Sequence, residues 1–182
     1  QAALPDIPFD GWGVQTIEKA AENAGYPKSM VTSVFPAGIK DVIVHFSGWA
    51  DRQMLARLQS QKMPDKVRAR IALAVRTRLE ILAAHKEAER LAIAYWLGPF
   101  KKWEGAKLVW KTADVIWNWA GDTAADYNHY TKRGLLSGVL SATTLFWLSD
   151  RSPESEDSWA FLDRRIENVL SVGKIVGRFK TA

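Results

Sequence analysis

Cysteine is absent from the 182 residues. Its absence removes disulfides, thiolate metal sites and cysteine nucleophiles together, and it fits a reducing compartment. Long apolar runs are also lacking. The longest uncharged stretch, Gly134 to Ser149, is shorter than the roughly 20 apolar residues a bilayer span needs, and it contains Ser137, Ser141, Thr143 and Thr144. A buried helix is expected there. Histidine is scarce, with only His45, His85 and His129 to serve as a base for a hydroxyl nucleophile. No glycine-rich phosphate loop and no nucleophile elbow occur. The opening QAALPDIPF lacks the charged, apolar and small-residue order of a secretory signal, and it reads as the flank of a trimmed or processed chain.

What is present is apolar residues in abundance, 47% of the chain, enough to bury a real core. The net charge of +5 is unevenly placed. Residues 1–58 carry −1, residues 59–111 carry +7, residues 112–163 carry −5 and the tail from Arg164 carries +4. The tail is the compact basic element.

The strong periodic signals are helical. PDKVRARIALAVRTRLEILAAH sets Val67, Ile71, Ala74, Ile81 and Leu82 near one face at spacings of three and four. Prolines at 27, 36, 64, 99 and 153 and glycines at 25, 98 and 121 punctuate the pattern. The expected fold is all-α, with helices near 12–24, 28–34, 38–59, 65–84, 86–97, 100–119, 123–149 and 155–172. Residues 1–59 read as a three-helix module of helix-turn-helix type and residues 60–182 as a larger helical domain.

The first module invites a DNA-binding reading. Its candidate recognition segment, KSMVTSVF, offers only Lys28, Ser29, Thr32 and Ser33, in a region of net charge −1. That footprint is too poor to release counterions from a duplex, so no nucleic-acid partner is expected. A metal site is the next candidate, because Asp122, Asp126 and His129 share a helical face. No Glu-x-x-His occurs anywhere in the chain, as a di-metal bundle would need. Asp122 is better explained as a cap for the following helix. No catalytic residues, metal or cofactor are expected, and an enzyme is disfavoured.

Trp96, Trp103, Trp110 and Trp117 recur every seven residues, with Gly98 and Pro99 interrupting the series. Such a stripe is either core or an aromatic wall for a large apolar ligand. Gly134, Gly138 and Ala142 form a stripe of small residues that either admits a neighbouring helix or leaves room for a ligand. The candidate lipid-binding residues are Trp103, Trp110, Leu136, Leu140 and Phe146. In the tail, RRIENVLSVGKIVGRFKTA, the candidate membrane-binding residues are Lys174, Ile175, Val176, Arg178, Phe179 and Lys180. The competing reading is that the last core helix ends near residue 172 and the rest frays at Gly173 and Gly177.

The stretch AGDTAADYNHYTKRGLLSGVLSATTLFWLSDRSPESEDSWAFLDRRIENV closely resembles the Coq-nine family of ubiquinone-biosynthesis accessory proteins. The resemblance rests on an alanine-glycine-aspartate, a following aspartate and a tyrosine-threonine-basic-arginine string, and it takes in Asp150, Glu156, Asp157, Trp159, Phe161, Leu162 and Arg165. It extends more loosely through the amino-terminal module. It implies a TetR-like fold, a lipid pocket in the larger domain, and a non-enzymatic protein. Such a protein binds an isoprenoid quinone or other lipid at a membrane surface and presents it to the demethoxyubiquinone di-iron hydroxylase.

By the same resemblance the hydroxylase-docking residues are Asp126, His129, Tyr130 and Arg133, and Tyr130→Ala or Arg133→Glu is expected to lower docking without unfolding. Family members carry tryptophan where this chain has His129. A homodimer through the last two long helices is expected by analogy with the fold. The implied location is peripheral on the inner membrane, cytoplasmic in a bacterium or on the matrix side in a mitochondrion. The alternative is a TetR-type regulator that senses a lipid.

Overall fold

The computed structural model describes residues 1–122 and 127–179, with side chains described for 1–122 and 129–169. Among the described residues the structure is helical and holds no strand. The order is α1 (Ile7–Asp10), α2 (Val14–Asn23), α3 (Ser29–Val34), α4 (Ile39–Gln59), α5 (Val67–Leu82), α6 (Lys86–Leu97), α7 (Lys102–Trp119), α8 (Tyr127–Ser149) and α9 (Glu156–Phe179). Single 3₁₀ turns at Ala83–His85 and Pro153–Ser155 lead into α6 and α9. From α2 to α7 the helices lie within about two residues of the expected ones, whereas α1 was not expected and residues 123–126, the expected start of the 123–149 helix, lie outside those described. The chain between Gly98 and Lys101 is turn rather than helix, because Phe100 holds a positive φ of 64°. Also, α9 runs on to Phe179, through Gly173 and Gly177, where fraying near 172 was the competing expectation.

By contact the chain divides into two compact units, Gln1–Gln53 with Ile81–Leu108, and Met54–Glu80 with Val109–Ala182. Both units are discontinuous in sequence, so they do not coincide with a linear division after residue 59.

In the first unit, Ile43, Ala92 and Trp96 form a core against which Trp12, Ile39 and Leu108 pack. Small residues make this possible: a Cβ placed on Gly105 would stand 2.8 Å from Trp96 Cβ, so α6 and α7 approach closely there. The N-terminal segment is itself folded in, with Leu4 and Ile7 buried at 7% and 0% exposure. Trp12 anchors it by donating its indole N–H to the Ala88 carbonyl at 3.0 Å. Gly25, at φ 83°, ends α2 in the left-handed conformation while Tyr26 N–H donates back to Ala21 O at 2.9 Å, a Schellman closure that turns the chain into α3.

In the second unit, α8 and α9 pack along one another. The buried face of α8 reads Arg133, Leu136, Leu140, Thr143 and Trp147, at the three- and four-residue spacing of a helix stripe. Leu162 and Ile166 of α9 and Ala113 and Ile116 of α7 are buried likewise.

Candidate functional site

The region expected to dock a partner begins at the end of α7. Gly121, at φ 88°, takes the left-handed conformation, and Asp122 N–H donates to Trp117 O at 3.0 Å. Arg70 steadies the same corner by donating to the Ala120 carbonyl at 2.9 Å and to the Pro64 carbonyl at 2.7 Å. The closure brings the Asp122 carboxylate against α8. There it accepts from Lys132 Nζ at 2.6 Å and from Arg133 Nη1 at 3.0 Å, with 4% of its side chain exposed. The aspartate expected to be a helix cap is therefore held by two cations.

Arg133 is the centre of this arrangement. Its Nε donates to Asp114 Oδ1 at 2.5 Å, its Nη2 to Asn118 Oδ1 at 3.1 Å, and its Nη1 also to the His129 carbonyl at 3.3 Å. Asp114 and Asn118 sit one turn apart on α7 and bond each other, so the helix offers the guanidinium two acceptors in a row. Burial would lower the Arg133 pKa, but the hydrogen bonds from Asp114 and Asp122 outweigh it and hold the group above its ordinary value.

The expectation that Arg133 shares an exposed face with Tyr130 is corrected by its 1% exposure. Three residues fall about 60° short of a full helical turn, and the acceptors on α7 draw the guanidinium inward. Tyr130 does stand outward, at 64% exposure. Its ring tilts against Trp110 at 6.4 Å and meets His129 edge-on at 5.2 Å. Trp110 in turn comes within 3.7 Å of a Cβ built on Gly134, so that glycine leaves space for an aromatic ring, while Gly138 faces open space. His129 is half-buried. Asp126 lies outside the described residues.

The residues expected to wall a lipid pocket stand in different environments. Trp103 is 70% exposed, and Leu136 and Leu140 are packed core at 3% and 4%. Phe146 stacks on Phe161 with ring centroids 4.5 Å apart. The tryptophan period thus makes no continuous wall: Trp96 is buried, Trp103 stands out, and Trp110 and Trp117 are half-buried.

An apolar cavity of about 340 Å³ lies in the first unit, beside α2, α3 and α4. Phe35, Phe46 and Trp49 line it, with Tyr26, Met30 and Val34 exposed at its open side. That size is at the small end of ligand pockets. Trp49, one of the lining residues, has a buried indole N–H without an acceptor among the described residues. His45 adds an imidazole whose pKa desolvation and Arg52 push down, so it is neutral near pH 7. The lining suits an apolar group. The sequence signal was present in the apolar residues of KSMVTSVF, since α3 buries none of its own.

Of the tail residues, Lys174, Ile175, Val176, Arg178 and Phe179 fall on the backbone of α9, with side chains outside the described residues, and Lys180 lies outside altogether. Among the described residues no helix is long and apolar enough to cross a membrane.

Residues 103–173 match the COQ9 family model. The likeness extends over nearly the whole chain to curated relatives called ubiquinone biosynthesis protein COQ9, mitochondrial. That of Rattus norvegicus is 30% identical over 99% of this chain and 60% of its own length. That of Drosophila melanogaster is 32% identical over 94% of this chain and 54% of its own length. The chain therefore spans somewhat more than half of each. A solved TetR transcriptional regulator from Nitrosomonas europaea superposes with a TM-score of 0.72, covering 93% of this chain and 94% of that one at 18% identity. That likeness establishes a TetR-like fold.

Proposed function

We propose, on the premise that this chain is a COQ9-family protein, that it serves ubiquinone biosynthesis as a non-enzymatic accessory. It binds an isoprenoid quinone intermediate at a membrane surface and presents it to the demethoxyubiquinone di-iron hydroxylase. The observation that carries the docking part is the contrast between Tyr130 and Arg133: an aromatic ring 64% exposed, on a helix fixed from behind by a guanidinium 1% exposed. Exposed aromatic anchors on rigid supports are typical of interface hot spots. Arg133 acts as a positioning residue, and Tyr130 with His129 forms the contact.

Physical chemistry supports the lipid part. A polyprenyl chain gains about 0.8 kcal/mol per buried methylene by staying in the bilayer, so removing it requires an apolar shelter. The apolar cavity beside α3 supplies such a surface. The basic tail would hold the protein on the inner membrane, and the uncharged outer face of α8, at Gly138, Ser141 and Leu145, suits a second copy.

Native mass spectrometry and lipid extraction of the purified protein test the carrier reading. A co-purifying isoprenoid supports it, and a lipid-free protein with no affinity for isoprenoid quinones overturns it. Co-purification of the hydroxylase tests the docking reading separately.

A further inference from the structure

The turn between α6 and α7 carries three large apolar side chains that the fold leaves in solvent. Leu97 is 63% exposed, Phe100 103% and Trp103 70%. They lie within seven residues, LGPFKKW, at the tip of a helix hairpin. Phe100 also holds a φ of 64°, a left-handed conformation that a bulky L-residue adopts only with strain. The chain therefore accepts both backbone strain and full exposure at one phenylalanine. Outliers of this kind cluster where a surface meets something else.

The charges beside these side chains indicate what that is. Lys101, Lys102 and Lys107 interleave with the apolar tip, against one carboxylate, Glu104, which Lys40 already engages. Lys101 Nζ lies 3.7 Å from the Tyr95 ring centroid and Lys107 Nζ 5.5 Å from that of Trp103, so these ammonium groups rest against aromatic faces beside the exposed tip. Protein–protein interface cores are depleted in lysine, whereas a convex tip of Trp, Phe and Leu ringed by lysines matches the boundary between acyl chains and anionic headgroups.

We propose that Leu97, Phe100 and Trp103 form a wedge that enters the interfacial layer of an anionic lipid membrane, with Lys101, Lys102 and Lys107 on the phosphates. The wedge rests on the reading of the chain as a membrane-surface protein, but it is a contact separate from the C-terminal tail.

The test is flotation of the full chain with phosphatidylcholine vesicles, with and without phosphatidylglycerol. The variants are Phe100→Ser/Trp103→Ser, Lys101→Glu/Lys102→Glu and a deletion after Gly173. All four substituted side chains lie in or beside the exposed turn, and circular dichroism confirms that the variants stay folded. Each apolar or charge double variant is expected to weaken binding to the phosphatidylglycerol vesicles about tenfold or more, in the full and the tail-deleted chain alike.

Because the chain lacks cysteine, Phe100→Cys gives a unique site for an environment-sensitive fluorophore, whose emission should shift to the blue on vesicle addition. Unchanged flotation of both double variants overturns the wedge. If only the tail deletion lowers binding, the wedge is wrong and the tail reading stands. Equal binding of the wild-type chain to both vesicle types also overturns it. Loss of hydroxylase co-purification from Phe100→Ser/Trp103→Ser with flotation unchanged would make the tip a protein contact instead.

Discussion

Arg133 Nη1 and Asp122 Oδ2 lie 3.0 Å apart, and their side chains are 1% and 4% exposed. A charge pair so deeply covered joins the end of α7 to the first turns of α8, and it sets where Tyr130 stands. Removing Arg133 leaves the buried Asp122 with Lys132 as its cation and takes the cation from Asp114, so the cost should approach the lower end of the about 3–5 kcal/mol typical of a broken buried pair. Arg133→Met is expected to destabilise the protein by that order in chemical denaturation, and Arg133→Met/Asp122→Leu to recover much of the loss. Arg133→Glu, which the sequence marked as a clean docking variant, would place a third carboxylate beside Asp114 and Asp122. It should unfold the corner, so reduced docking by that variant would report misfolding.

Tyr130→Ala is the clean docking variant. The ring makes only a tilted contact with Trp110 and an edge contact with His129, so its loss should change stability by no more than about 0.5 kcal/mol. Hydroxylase binding should fall about tenfold or more, as for an interface hot spot. His129→Trp, which restores the aromatic residue of the family pattern, should strengthen it. Unaltered affinity for all three proteins, measured with purified hydroxylase, would remove this face from the docking surface.

Asp150 links α8 to α9 through a compact hydrogen-bond set. One carboxylate oxygen accepts from Ser152 N–H and its hydroxyl, both at 2.7 Å, and the other from Ser158 N–H at 2.9 Å and its hydroxyl. Burial would raise its pKa, but these donors bring it from 3.8 down to about 2. A folded-state pKa below the unfolded one means that the stabilisation is complete above about pH 4 and is lost as the pH falls towards 2. Asp150→Asn should therefore melt below the wild-type chain at pH 7, and the gap should close across that window. A gap that persists at pH 2 would assign the effect to packing.

Two helical glycines should respond to alanine in opposite directions. Gly138 has nothing within 4 Å of a built Cβ, so Gly138→Ala should gain about 0.5–1 kcal/mol from helix propensity. At Gly105 the new Cβ would lie 2.8 Å from Trp96 Cβ and 3.1 Å from Cγ, neither of which is a flexible end. Gly105→Ala should lose about 1–3 kcal/mol to overpacking. Thermal melts of the two variants give the sign directly.

The positions of most helices were legible because they depend on local pattern, though the short α1 was not expected. The three-and-four spacing of PDKVRARIALAVRTRLEILAAH and the turn glycines Gly25 and Gly121 act within a few residues, and α2, α5 and α7 fall close to where they were expected. Family resemblance was legible for the same reason, since a string such as AGDTAADYNHYTKRG is read in order. The cavity was not, because residues of α2, α3 and α4 meet around it and no linear spacing connects Tyr26, Phe35 and Trp49 to a common space. Nor was the fate of the tryptophan period, since equal spacing gives Trp96 and Trp103 no common environment.

The sequence by itself determined an all-helical chain, the absence of thiol chemistry and the likeness to the COQ9 family, all of which follow from composition and short-range order. Only the tertiary structure decided that Arg133 turns inward and Tyr130 outward, three residues apart on one helix. It also decided that Phe100 is left in solvent at the end of a hairpin. A side chain's direction depends on the acceptors and space that distant segments bring to it, and Asp114, Asn118 and Asp122 reach Arg133 only after the chain has closed at Gly121.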